Sequence, residues 1–588
     1  MSLPATPFVL LDDARPGGPH TLYRNPLAIV TTHALDEVRP ALAELREAVR
    51  RGMHVAGWLA YEAGHALEAK LAQQTRGGRI PLLWFGVFEQ AERLDPDELA
   101  ALLPDAAGAW AGAPRPNISR RAYEEAFDRV HAWIAAGDIY QANLSFRADV
   151  PIQGHPLALY AGLRQTAQVG WGGVVYDGRN WLLSLSPELF FRTDGRRVEA
   201  RPMKGTAPRG RDEAEDKALL AALAADPKQR AENLMIVDLI RNDLSRVARP
   251  GSVVTPALFA VEHYPTVHQM VSEIEAELAP GRDAIDLIEA LFPCGSVTGA
   301  PKVRAMEIIG EVEADAREAY TGAIGAIGPD GAAAFNVVIR TLALEGGASH
   351  ARMGLGSAVV ADSTADGEWR ECLAKGAFVT AGAARFDLFE TMRFEADEGI
   401  IRLEEHLARL ARSAAAFGFV FDRHDIRHQL QVATFPLTAP ARLRLMLGRS
   451  GAMAVEVRDL PPPPAEPVAV QVATLPVDPA DFRLRHKTTD RAFYADARAK
   501  AGTFEMLFVR PDGLLTEGSF TNLFVPRDGK LVTPPLHLGL LPGILRAALI
   551  AQGDAVEANL TVADLQGEFF IGNDLRGLMK ARLAASKP

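Results

Sequence analysis

A chain of 588 residues is too long for one hydrophobic core, so two or three domains are expected. Its 48% hydrophobic and 23% charged residues are those of an ordinary globular protein, and a net charge of -11 offers no basic field for a nucleic-acid backbone. No apolar run approaches the roughly 20 residues that span a bilayer. The N-terminal MSLPATPFVLLDDARPGG lacks an export signal, and two cysteines, Cys294 and Cys372, give neither a disulfide framework nor metal spacing. The expected location is therefore the cytoplasm, with no nucleic-acid and no membrane partner.

Residues 1–110 alternate short apolar strands with polar turns, as in VAGWLAYEAG (55–64) and IPLLWFGVFE (80–89). The Ala/Pro/Gly-rich PDAAGAWAGAPRPN (104–117) reads as a linker. Apolar residues at helical spacing then begin at SRRAYEEAFDRVHAWIAAGD, with Gly137 placed to end the helix. Strand-like and helical segments alternate over 118–380, which is expected to be a catalytic domain together with the first 110 residues. A second junction falls at AKGAFVTAGAARFD (374–387), and 385–588 opens on an amphipathic helix, RLEEHLARLARSAAAFGF (402–419). The proline run PPPPAEP (461–467) is too stiff for an element interior and is expected to join two lobes.

Several segments of the first half carry candidate chemistry. FPCGSVTGAPKVRAMEII (292–309) is a Gly/Ser/Thr-rich turn leading into a helix with Lys302, Arg304 and Glu307, a setting that suits a carboxylate ligand. RPMKG (201–205) places Lys204 alone in a segment that reads as buried. AENLMIVDLIRND (231–243) is expected to be a helix with Glu232 near its start, and GEWRECLAK (367–375) a helix with Glu368 and Glu371 one turn apart. Carboxylates from two helices could share a hard cation, although by spacing alone solvated surface charge is the commoner explanation.

These blocks, with LSPELFFR (185–192), EHYPTVHQMVSEIE (262–275) and the stretches 320–341 and 352–375, resemble in order the signature blocks of the chorismate-binding enzymes. The family includes anthranilate synthase, isochorismate and salicylate synthases and aminodeoxychorismate synthase component I. The resemblance implies antiparallel sheets flanked by helices, and Mg2+ held on the ring carboxylate of chorismate by Glu232 and Glu371 with Glu368 close by. It implies Arg340 on the enolpyruvyl carboxylate, helped by backbone N–H groups of Gly356, Ser357 and Ala358, the last standing where the family usually has glycine. His268 and Thr298 would line the ring pocket. Anthranilate synthases carry a small residue where Lys204 stands, whereas aminodeoxychorismate synthases resemble this chain, with a lysine that attacks ring carbon C2. Glu188 falls at that subfamily's general acid. Gln141 replaces the lysine base of water-using relatives and cannot take a proton. Neither cysteine sits in a glutaminase-like turn, so ammonia is expected from a separate glutamine amidotransferase subunit.

In the second half, Lys487 (RHKTTDRAFY), Glu517 (LLTEGSFTNLFV), the Pro-Gly turn of LGLLPGILRAAL (538–549) and Arg409 are individually unremarkable. In this order they resemble the class IV aminotransferases, a two-lobed α/β fold that holds pyridoxal 5'-phosphate and includes branched-chain and D-amino-acid transaminases and aminodeoxychorismate lyase. The resemblance implies Lys487 as the Schiff-base lysine and Glu517 as the partner of the pyridine nitrogen. Arg409, Gly543, Ile544 and Asn573 would lie around the phosphate, and the domain would form a homodimer. The family's strand and Gly-Asp-Gly turn before FETMR (389–393) is replaced by RFDL. The expectation is thus an α+β multidomain enzyme that aminates chorismate and then releases pyruvate to give 4-aminobenzoate, a folate precursor. The alternative is an anthranilate synthase-like half joined to a transaminase.

Overall fold

The computed structural model describes residues 6–72, 77–263, 267–382 and 385–584. They form two compact units. The first comprises residues up to 103, 113–152 and 160–382, and the second comprises 104–112, 153–159 and the chain from 383 onward.

The first unit is built on two large antiparallel sheets. One runs Gly299–Ala300, Gln141–Gln153, His350–Val359, Thr341–Glu345, Asn180–Ser186, Trp171–Tyr176, Phe8–Asp12, His20–Arg24, Glu92–Leu94. The other runs Met203–Pro208, Val267–Glu277, Arg197–Arg201, Leu189–Thr193, Ala333–Val337, Ala323–Ile327, His54–Leu59, Leu83–Phe88, Ala28–Thr32. Both sheets therefore mix strands from the first 110 residues with strands from far along the chain.

Side-chain parity explains how they stack. On His54–Leu59 and Leu83–Phe88, Ala56, Trp58, Trp84 and Phe88 pack with Val9, Val175 and Leu182 of the other sheet, while Val55, Leu59, Leu83 and Phe85 point the opposite way. That opposite face is covered by helices Val38–Arg50, Pro227–Ser245 and Ala284–Leu291, which contribute Leu42, Ile236 and Ile288. Helices Arg120–Ala136 and Ala365–Gly376 lie on the first sheet, where Tyr123 and Trp369 meet Phe146. Ser119 caps the first of these through its hydroxyl, and left-handed Gly137 ends it.

The second unit has two lobes. The smaller is an antiparallel sheet in the order Gly399–Ile400, Leu388–Glu395, Ala441–Leu447, Met453–Asp459. Its buried face, Leu388, Met392, Leu443 and Leu445, receives Leu407, Leu410 and Phe417 of helix Leu403–Phe417. The larger lobe is a mixed eight-stranded sheet in which Val468–Thr474 runs parallel to Glu505–Val509 and to Gly577–Leu583. The proline run lies between Met453–Asp459 and Val468–Thr474 without regular structure.

The segment read as a linker is not a bare tether. Trp110 is buried in the core of the smaller lobe, its ring 5.0 Å from that of Phe417. Alanine, proline and glycine around it gave the segment a linker composition, but one large aromatic removed from water outweighs that bias.

Candidate functional site

A cavity of about 470 Å³ in the first unit collects most of the predicted residues. Lys204, Glu188, Glu232, Glu368, Glu371, Arg340, Gly356 and Ala358 all line it. Lys204 owes its placement to a break in the ladder between Met203–Pro208 and Val267–Glu277, where the register shifts between Met203 and Thr206. Gly205 sits in that bulge at φ 97°, a conformation that favours glycine, so Met203, Lys204, Gly205 and Thr206 all reach the cavity wall. Burial lowers the Lys204 pKa; Glu232 opposes this and Lys375 adds to it. Among the described residues no carboxylate lies within ion-pair distance of Lys204, whose amine is thereby kept available as a nucleophile.

Glu188 is buried, and its carboxyl is pushed up to about 7 by desolvation, against a lowering hydrogen bond from Ser296 and the charge of Lys204. Ser296 Oγ donates to Glu188 Oε1 at 2.6 Å. The Glu188 backbone is fixed by Val337 N–H, which donates to its carbonyl, and by its own N–H, which donates to Ser186 Oγ. A buried carboxyl raised to about 7 in the same cavity as a half-buried lysine can serve as an acid beside a nucleophile.

The three glutamates come from two helices. Lys375 Nζ pairs with Glu371 Oε1 at 2.7 Å and donates to Gly356 O at 3.0 Å, while Ser363 Oγ donates to Glu368 Oε1 at 2.7 Å. Burial raises the Glu232 carboxyl, and the charge of Glu368 raises it further against Lys204 and Lys228. Among the described residues no three acidic, histidine or cysteine side chains converge as a ready-made metal cage. Hard oxygen donors arranged this way fit Mg2+, which takes a few carboxylates and completes its shell with water and ligand oxygens.

Arg340 lies at φ 48°, an unusual backbone for a non-glycine residue, and Leu185 N–H donates to its carbonyl. On strand His350–Val359 the small residues Gly354, Gly356 and Ala358 face the cavity. A methyl group added at Gly356 would lie 2.8 Å from Tyr320 Oη.

Other predicted residues are placed elsewhere. Ser357 alternates to the opposite face, with Oγ toward the carbonyl of Glu368. His268 is also on the wrong side of its strand: its neighbour Gln269 lines the cavity, whereas His268 Nε2 lies 2.9 Å from Asp216 Oδ1. Thr298 turns its hydroxyl back onto Cys294 O and Gly295 O. The cations after the glycine turn are engaged too, Lys302 with Leu291 O and Asp243, and Arg304 with Asp138 and Glu307. They do not line the cavity, so the ligand-facing part of the turn is Ser296 and Val297.

That turn is closely packed. A methyl group on Gly295 would lie 1.6 Å from Leu239 Cδ2 of helix Pro227–Ser245, which is itself in the core layer. Gly295→Ala is expected to destabilise the first unit by about 1–3 kcal/mol through overpacking, read as a lowered midpoint in urea unfolding followed by tryptophan fluorescence.

The second unit holds a cavity of about 430 Å³ lined by Lys487, Glu517, Arg409, Gly543, Ile544 and Asn573. Lys487 has its amine lowered to about 7, first by burial and then by Arg409, and lies 5.2 Å from the Phe389 ring centre. Glu517 is raised to about 7 by burial, while Tyr494 Oη donates to it at 2.9 Å and Asn522 Nδ2 at 3.3 Å. Gly543 begins helix Ile544–Gln552 with no side-chain cap, leaving N–H groups at the cavity wall. A methyl group there would lie 1.8 Å from Asn522 Oδ1. An uncapped helix start, a half-buried lysine with no ion-pair partner among the described residues and a buried carboxylate fit pyridoxal phosphate. Arg409 lines the cavity as expected and donates twice to Glu390, at 2.8 and 2.6 Å, and to Pro542 O at 3.0 Å, which leaves N–H donors on its terminal nitrogens. It braces the wall next to Gly543 and is hydrogen-bonded on all three nitrogens.

Sequence reasoning passed over Ser296, Lys375 and Tyr494. Lys375 was readable as the i+4 partner of Glu371, and Ser296 lay inside a motif already singled out. Nothing local marks Tyr494 as the donor to Glu517.

Comparison with known proteins agrees with this division. Residues 6–381 match the family described as chorismate binding enzyme, and residues 387–584 the family described as amino-transferase class IV. The chain is 43% identical to anthranilate synthase component 1 of Thermus thermophilus over 273 residues, 46% of this chain and 59% of that protein, so under two thirds of the relative is spanned. It is 37% identical to aminodeoxychorismate synthase component 1 of Klebsiella aerogenes over 338 residues, 54% of this chain and 74% of that protein. The crystal structure of anthranilate synthase component I from Streptococcus pneumoniae superposes with a TM-score of 0.54 at 26% identity, covering 62% of this chain and 92% of that one.

Proposed function

Because the chain belongs to the chorismate binding enzyme family and carries a class IV amino-transferase domain behind it, we propose that it converts chorismate to 4-aminobenzoate in two steps. In the first, Lys204 adds to ring carbon C2 while Glu188 protonates the 4-hydroxyl, which leaves as water. Ammonia then adds at C4 and the lysine departs, giving 4-amino-4-deoxychorismate. The observation that carries this reading is Lys204 and Glu188 in one cavity, the amine lowered and the carboxyl raised.

Arg340, with the Gly356–Ala358 strand, would hold the enolpyruvyl carboxylate. Glu232 and Glu371, with Glu368, would hold Mg2+, whose charge neutralises the ring carboxylate. Ammonia is supplied by a glutamine amidotransferase partner, since neither cysteine of this chain is placed as a glutaminase nucleophile: both are buried and raised in pKa.

In the second step the substrate amine enters the cavity around Lys487. Glu517, Lys487 and the Gly543–Ile544 helix start would hold pyridoxal phosphate, which would supply an electron sink for the carbon that bears the amine. Lys487 removes the proton from that carbon and returns it as pyruvate leaves and the ring becomes aromatic. Its lowered pKa keeps a neutral amine available near neutrality.

Identity to an anthranilate synthase supports the other reading of the first half, and product analysis separates the two. Chorismate with Mg2+, ammonium and pyridoxal phosphate is expected to give 4-aminobenzoate and pyruvate; anthranilate would overturn the assignment of Lys204. Activity of the first step should fall as pH rises through about 7, where Glu188 loses its proton. With Lys204 needing to be neutral, kcat/KM should trace a bell.

A further inference from the structure

The turn Cys294–Thr298 is held more firmly than shaping a pocket wall requires. Gly295 is packed against Leu239, and Pro293 lies against Gly64, where an added methyl group would come within 2.4 Å. Arg317, itself buried and paired with Glu313, donates to Val297 O at 2.9 Å and to Asn143 O at 2.5 Å. Glu313 in turn accepts from Ser145 N–H and Oγ at 2.8 and 2.9 Å. Ser296 is thus fixed from the glycine side, the carbonyl side and the sheet.

Its hydroxyl has one donor proton, directed to Glu188 Oε1 at 2.6 Å. Cys294 Sγ lies 3.2 Å from the same Ser296 oxygen. Burial pushes the Cys294 thiol up to about 12, with the charge of Glu188 raising it further, so sulfur keeps its hydrogen across the working pH range. With Ser296 donating to the carboxylate, the thiol is the donor to Ser296. The result is a one-way chain, Cys294 S–H to Ser296 O–H to Glu188 Oε1.

We propose that Ser296 is the positioning residue for the acidic proton of Glu188, and that Cys294 fixes the direction of the Ser296 hydroxyl. A protonated carboxyl carries its hydrogen on one oxygen only. Because Oε1 is occupied as an acceptor, the proton is confined to Oε2, and Glu188 presents a single donor oxygen to the leaving hydroxyl. Without Ser296 the proton could sit on either oxygen, and half of the arrangements would be unproductive. The chain moves no proton to substrate itself; it selects the orientation of the group that does. The inference rests on the role proposed above for Glu188. The other groups that act on this carboxyl are Lys204 from strand Met203–Pro208, Lys375 from helix Ala365–Gly376 and the Met203 backbone. None of them belongs to the turn, so variants in the turn leave them in place.

The test follows the protonated-carboxyl C=O stretch of the full chain by infrared difference spectroscopy across pH, assigned by its loss in Glu188→Gln, beside the pH profile of chorismate amination. A hydrogen bond to an ionised carboxylate lowers its pKa by about 1 to 2 pH units. Ser296→Ala is therefore expected to raise the Glu188 midpoint by about that amount and to move the alkaline limb of kcat/KM upward, while kcat falls about tenfold. Ser296→Thr, which keeps the hydroxyl, should restore both. Cys294→Ala should shift the midpoint in the same direction by less, and Cys294→Ser should not. An unchanged or lowered midpoint in Ser296→Ala would overturn the proposal, because loss of packing alone reduces activity without moving this titration upward. A midpoint shift in a chain that does not aminate chorismate would leave the hydrogen-bond chain intact and refute the reading of the cavity instead.

Discussion

Lys204→Ala is expected to reduce formation of 4-amino-4-deoxychorismate by on the order of 10³-fold or more while leaving the second unit's lyase activity intact. The size follows from the proposed role, in which the lysine forms the bond that makes departure of the 4-hydroxyl feasible; no other described amine combines this position with a lowered pKa and no ion-pair partner. Lys375 lines the same cavity but is held by Glu371 and Gly356, and its pKa is raised. Lys228 is paired with Asp362 at 2.9 Å and is raised as well. Product analysis adds a second reading of the same variant. With the nucleophile gone, ammonia is expected to attack the carbon that Lys204 would have occupied as the 4-hydroxyl leaves as water, so residual product should be 2-amino-2-deoxyisochorismate, or anthranilate once pyruvate is eliminated from it. A variant that still makes 4-amino-4-deoxychorismate at near the parental rate would show that the amine is not the nucleophile. Urea unfolding should be nearly unchanged, because the side chain gives up no ion pair.

The second large effect is expected from Lys487→Ala. It should abolish the absorbance band of lysine-bound pyridoxal phosphate and reduce 4-aminobenzoate formation by on the order of 10³-fold, with 4-amino-4-deoxychorismate accumulating and the first step unaffected. Lys487 is the only described lysine lining that cavity, and its burial has already lowered it to about 7. Glu517 is the natural comparison. Removing its carboxylate leaves the lysine in place, so the band should persist, shifted, while turnover falls. Retention of both the band and the product in Lys487→Ala would exclude this cavity as the site of the second reaction. The two variants test the units separately, and mixing the two proteins should restore 4-aminobenzoate if the intermediate is free to leave one unit and enter the other.

Much of this was legible before any coordinates. The two halves and the strand and helix character of most segments were readable from pattern, and resemblance to two families pointed to Lys204, Glu188, Glu232, Glu371, Lys487 and Glu517, which line the two cavities. A carboxylate pair one turn apart on a helix shares a face whatever the helix packs against, and Glu368 and Glu371 do line one cavity. Strand faces were less secure. His268 and Gln269 are adjacent, and only one can face the ligand. Here it is Gln269, which pairs with Thr206 just past the register shift in the neighbouring strand.

Sequence by itself therefore indicated the family of each half and, through resemblance to those families, the residues proposed for each site, Lys204 and Lys487 among them, because motif order and residue identity are written in the chain. Only the tertiary structure decided which charges are free. Arg409 is paired with Glu390 at the cavity wall, Lys302 with Asp243 and Lys375 with Glu371, while Lys204 and Lys487 have no ion-pair partner among the described residues. It also drew Trp110 into the core of the smaller lobe and set Ser296 against Glu188 across 108 positions of chain. The physical reason is common to all of these. A side chain's reactivity depends on its desolvation and its nearest opposite charge, and both are supplied by elements that the sequence brings together only when it folds.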